Sequence, residues 1–108
     1  MQDELLRLCG YTKNSRSLER VEQIRKNYSH FDEMVKALLD IEPFLAHSDY
    51  YLSLQGDTDM IEIRNNMLDE EAFMMMDSDI IVWANQHNVE LQEEGDRISI
   101  LGFREAEN

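Results

Sequence analysis

The chain has 108 residues, 43% of them apolar, a single cysteine and a formal net charge of −13. That length supports one domain with one modest core, and that composition excludes wholesale disorder. No run approaches the ~20 consecutive apolar residues that span a bilayer, which excludes a membrane-crossing role.

The charge is unevenly distributed. Residues 1–36 carry seven basic side chains against six acids, whereas the rest of the chain carries three against seventeen. Such a segment repels nucleic acid and anionic lipid and attracts basic partners. The first ten residues include Asp3, Glu4 and Arg7 and no long apolar run, unlike a signal peptide. With Cys9 alone, no internal disulfide can form, and a cytoplasmic setting is expected.

In chain order, Asp3 to Cys9 reads as a short helix, ended by Gly10 in a left-handed cap. Tyr11 to Ser15 is a polar loop. Leu18, Val21, Ile24 and Tyr28 recur at three and four residues, so a second helix follows, with Ser17 as the expected N-cap. Ser29 to Asp32 has the spacing of a variant capping box. Phe31, Met34, Val35, Leu38 and Ile41 share one helical face beyond it. Periodicity alone does not divide this run from the previous one. Pro43 is expected to leave that helix and start a short extra turn to His47, because it cannot donate a backbone hydrogen bond.

The period then changes to two. Tyr50, Leu52 and Leu54 alternate with Tyr51, Ser53 and Gln55, and Ile61 and Ile63 alternate with Glu62 and Arg64. Two strands joined around Gly56-Asp57-Thr58-Asp59 form a hairpin with one buried and one solvent face. A long helix is expected from Leu68 to His87, with Phe73, Met76, Ile80, Trp83 and His87 on one stripe. Met74, Met75, Ile81 and Val82 widen that stripe, and Asp77-Ser78-Asp79 is a candidate interruption. Val89 and Leu91, then Ile98, Ile100, Leu101 and Phe103, form a second hairpin around Gly95.

The fold expected is α+β. N-terminal helices precede a hairpin–helix–hairpin, giving an antiparallel sheet of about four strands with helices on one face. The chain is one domain over 1–108: residues 1–48 are mainly helical, 49–104 form an acidic ββαββ part, and 105–108 a loose tail.

No catalytic or metal-binding pattern is assembled. Asp57-Thr58-Asp59 and Asp77-Ser78-Asp79 resemble the start of a calcium loop, but the fifth positions are Ile61 and Ile81. They read as a turn and a helix cap. His30, His47 and His87 are scattered, and Cys9 has no motif around it. The four glycines are too far apart to cradle a phosphate. An enzyme, a metal site and a cofactor are therefore not expected. The first two helices admit a helix-turn-helix reading, which the net charge opposes. Direct nucleic-acid binding is not expected.

Two features remain: the acidic segment and the run Met74-Met75-Met76, whose consecutive residues point all around a helix and adapt to partners. They point to a non-catalytic protein-interaction module, of adaptor, inhibitor or immunity type, that holds a basic protein partner. The residues at stake are Asp69, Glu70, Glu71, Met74, Met75, Asp77 and Asp79 on the helix and Glu90, Glu93, Glu94 and Asp96 on the last hairpin. The methionine run would also serve a homodimer seam. One alternative is a nucleic-acid mimic occupying another protein's DNA or RNA site. Another is a small ligand-binding domain or enzyme with a pocket near Trp83, His87, Tyr50 or Tyr51.

Overall fold

The computed structural model describes residues 2–56, 58–66, 77–95 and 97–104. The described elements run α1 (Gln2–Cys9), α2 (Ser15–Arg25), α3 (Phe31–Ala46), β1 (Tyr50–Ser53), β2 (Ile61–Asn65), α4 (Ser78–His87), β3 (Val89–Glu94) and β4 (Arg97–Phe103). The strands form one antiparallel sheet in the order β1-β2-β4-β3, the expected α+β architecture.

Register explains the layering. Ile61 faces Ile100 across β2 and β4, Ile63 faces Ile98, and Leu52 on β1 faces Ile63. These five side chains are buried on one side of the sheet. The helices supply the other half of the core through Leu5 and Leu6, Val21 and Ile24, Met34, Val35, Leu38 and Ile41, and Ile80 and Trp83. Apolar spacing of three to four along each helix puts these groups on one stripe.

Hydrogen bonds from three aromatic side chains, the buried Trp83 and Tyr28 and the half-buried Tyr11, fix how the layers meet. The Trp83 indole N–H donates to the Ala37 carbonyl at 2.7 Å and pins α4 to α3. The Tyr28 hydroxyl, in the turn between α2 and α3, accepts from the Ile61 N–H and donates to the Ile100 carbonyl. One side chain thus completes the end of the β2–β4 ladder and ties it to the helices. Tyr11, after α1, accepts the Leu54 N–H at 3.0 Å.

Several local expectations are corrected. The second helix starts at Ser15, and its N-cap is Asn14. The Asn14 side chain accepts the Ser17 N–H, while Ser17 Oγ accepts the Asn14 N–H, so Ser17 is the other half of a capping box. The expected box at Ser29–Asp32 is absent: α3 begins after His30, which makes no side-chain cap. Pro43 stays inside α3. It sits in the last turn, where only one intrahelical bond is lost, and Phe44 just beyond it stacks on Tyr50 with ring centroids 5.7 Å apart.

On α4, Ile81 and Val82 are 42% and 53% exposed, so the buried stripe is narrower than expected and consists of Ile80, Trp83 and Ala84. The helix begins at Asp77-Ser78, and its expected forward extension to Leu68, including Phe73 and Met74 to Met76, lies outside the described residues. No helix among the described residues is long and apolar enough to cross a membrane.

Candidate functional site

The nine acids expected to form the partner surface fall into three groups. Asp69, Glu70, Glu71 and Asp96, with Met74 and Met75, lie outside the described residues. Asp77 and Glu94 have internal work. Asp77 caps α4, its carboxylate accepting the Asp79 N–H at 2.8 Å. Such a cap satisfies an orphan amide and places negative charge at the positive end of the helix. Glu94 accepts from Arg97 Nε at 3.3 Å across the last hairpin. Asp79, Glu90 and Glu93 are exposed and make no ion pair with any described residue.

Basic side chains, by contrast, are largely engaged within the fold. Arg7 pairs with Glu42 and Glu4, Lys13 with Asp3, and Arg25 with Glu22. Arg20 on α2 is a clamp. Its guanidinium donates to the carbonyls of Leu54, Gly56 and Thr58 and to the Asp59 carboxylate, holding the β1–β2 connection against the helix. Arg16, Lys26 and Lys36 make no ion pair with a described residue, so the N-terminal part is neutralised only in part.

The sheet face away from the isoleucines carries a polar row that the alternation did not foretell. Glu62 is expected on the solvent side of β2, yet it is fully buried, as are its neighbours in register, Ser53 and Ser99. Arg64 donates to Glu62 Oε1 through Nε at 3.0 Å and Nη2 at 2.9 Å, and Arg97 Nη1 lies 3.7 Å from Oε2. Arg64 and Arg97 are direct cross-strand partners. Two cations at that spacing repel, and the carboxylate between them converts the repulsion into a bridged set. Gly56, in the clamped connection, closes over the carboxylate.

β3 is one edge of the sheet. Its sequence Val-Glu-Leu-Gln-Glu-Glu pairs with β4 on one side only among the described residues. A bulge shifts the register between Glu90 and Leu91, opposite Leu101 and Gly102, where Gly102 has φ 142°. α4 runs directly into this strand through Asn88, whose left-handed φ of 57° ends the helix. The Asn88 carbonyl and side-chain amide bond the Arg104 backbone, which fastens the junction.

The Cys9 thiol is pushed up to about 12 by burial, so it is protonated at neutral pH and a poor nucleophile. His87 Nε2 is 3.0 Å from Asp40. Among the described residues no three of histidine, cysteine, aspartate and glutamate converge as metal ligands. Trp83 is buried, its indole bonded to α3. A cleft of about 470 Å³ lies elsewhere, lined by Tyr11, Asn14, Arg16, Arg20 and Gln55. Sequence reasoning missed it because it forms between a helix start and a hairpin connection about forty residues further along the chain.

No protein family model matches the chain, and neither a curated protein nor a solved structure shows significant similarity to it.

Proposed function

We propose that this protein is a non-catalytic interaction module that holds a basic protein partner through the acidic surface of α4 and β3. The observation that carries this reading is a set of acids on α4 and β3 that no base among the described residues neutralises. Arg7, Lys13, Arg20, Arg25, Arg64 and Arg97 are bound to acids of their own chain, while Asp79, Glu90 and Glu93 face solvent with no ion-pair partner among the described residues. The field presented outward from this end is negative, and it steers cationic surfaces toward it. The exposed Ile81 and Val82 add apolar area beside Asp79 on the same short helix.

Capture from nuclease-treated lysate, eluted by stepwise salt, tests the reading. A stoichiometric basic protein released by salt and lost on Asp79→Asn/Glu90→Gln/Glu93→Gln supports it. A partner held equally by the neutralised variant contradicts it. A partner displaced by DNA would turn the reading toward nucleic-acid mimicry.

A further inference from the structure

The β3 edge gives the proposed acidic surface a specific mode of binding. Glu94 and Arg97 are paired with only two residues between them in the chain, and Gly95 has φ 60°. In such a hairpin the flanking residues form a hydrogen-bonded pair. Antiparallel ladders alternate, so Gln92–Ser99 belongs to the same class, and Glu93–Ile98 and Leu91–Ile100 to the other. In the second class both residues turn their N–H and C=O groups away from the shared ladder. Tyr28 corroborates this assignment independently, since its hydroxyl bonds the Ile100 carbonyl together with the Ile61 amide, which places that carbonyl on the β2 side.

Leu91 and Glu93 therefore direct their backbone donors and acceptors outward from the sheet, along an edge with no strand beside it among the described residues. An extended segment lying there would find two residues' worth of unpaired amide and carbonyl groups. The side chains decide which segment fits. Glu93 and Leu91 stand on one face of the strand, Gln92 and Glu94 on the other, and Glu90 precedes the bulge. A second copy pairing antiparallel on β3 would set Glu90 opposite Glu94 when centred on Gln92 and Glu93 opposite itself when centred on Glu93, and both destabilise the pair; only the register centred on Leu91 avoids this. A strand bearing lysine or arginine would meet opposite charge instead, with an apolar residue beside Leu91.

We infer that the protein takes its partner by strand addition, with a basic extended segment as a fifth strand antiparallel or parallel to β3. This rests on the acidic-surface reading and adds the backbone to it. The bulge and the glutamates then have one joint effect: they disfavour most self-pairing registers and favour cationic strands along this edge of the described sheet.

The test uses a short peptide alternating lysine and valine, and the same peptide N-methylated at every second amide on one edge. Both carry the same charge, but only the first offers a full row of donors. The inference predicts that the unmethylated peptide binds at low salt and that methylation on the pairing edge weakens binding by about tenfold or more. Methylation on the opposite edge leaves binding intact. Glu93→Pro should lose affinity well beyond Glu93→Gln, because proline removes the outward N–H as well as the charge and is tolerated at a solvent-facing edge position. Equal, salt-sensitive binding of all the peptides would overturn strand addition and leave the acidic-surface reading standing. Absence of binding to any of them at low salt would overturn both.

Discussion

Gly56 lies against the Glu62 carboxylate so closely that a β-carbon there would overlap its terminal atoms. The carboxylate cannot swing aside freely, since Arg64 holds Oε1 and Arg97 approaches Oε2. Gly56 itself is fixed by Arg20, which takes its carbonyl. Replacing Gly56 with alanine should therefore cost about 1–3 kcal/mol, the range for overpacking a filled site. Urea unfolding of Gly56→Ala against the parent checks this, and an unchanged midpoint would show that the connection does not close over Glu62.

Tyr28 makes a second quantitative case. Phenylalanine in its place keeps the ring beside Phe31, centroids 6.5 Å apart, but strands the Ile61 N–H and the Ile100 C=O in a dry site. Each buried orphan costs about 1–3 kcal/mol, so Tyr28→Phe should lose about 2–6 kcal/mol in all. Thermal unfolding by circular dichroism reads it. Burial and the nearby Glu62 charge also raise the tyrosine's pKa well above its usual value. Native-state absorbance should thus show a phenol that stays protonated at pH values where an ordinary tyrosine ionises.

Cys9 carries a pH prediction whose sign follows from its raised pKa. An ordinary thiol ionises near 9.0, and this one near 12. Between those values the folded state holds a proton that the unfolded state has lost. The stabilisation is complete below pH 9.0 and disappears as pH rises through about 12. Iodoacetamide should accordingly alkylate the folded protein far more slowly than the urea-unfolded chain near pH 9. Equal rates would mean that the thiol is not shielded.

Asp77 and Asp79 separate structure from recognition two residues apart. Asp77→Ala removes the α4 cap and should cost about 0.5–2 kcal/mol of stability. Asp79→Asn should cost only about 0.3–1 kcal/mol, because its carboxylate is exposed and unpaired among the described residues and contributes only its charge at the helix start. It should also weaken capture of the basic partner. Denaturant midpoints and binding measured on the same two variants check both halves.

The elements were legible wherever one face is buried and the period is clear. Ile61 with Ile63 and Ile98 with Ile100 announced paired strands, and Leu18, Val21 and Ile24 announced a helix. Glu62 was not legible, because alternation marks polar residues as solvent-facing. Its burial depends on a connection clamped by Arg20, more than thirty residues earlier in the chain. Ile81 and Val82 failed in the opposite direction. Their hydrophobicity suggested core, while α4 packs only through Ile80, Trp83 and Ala84. On the candidate surface, acidity was legible as composition. Which acids stay free was not, since Glu94 and Asp77 are taken up by Arg97 and a helix start. The edge position of β3 among the described strands depends on strand order, which brings β4 between β2 and β3 and is not written in any local pattern.

The most direct test of the central claim is the association rate of an immobilised lysine–valine peptide with the protein at rising ionic strength. The comparison is the parent chain against Asp79→Asn/Glu90→Gln/Glu93→Gln. Electrostatic capture predicts a rate that falls steeply with salt in the parent and is both lower and nearly flat in the variant. A rate that ignores salt, and is the same in both proteins, would contradict the account.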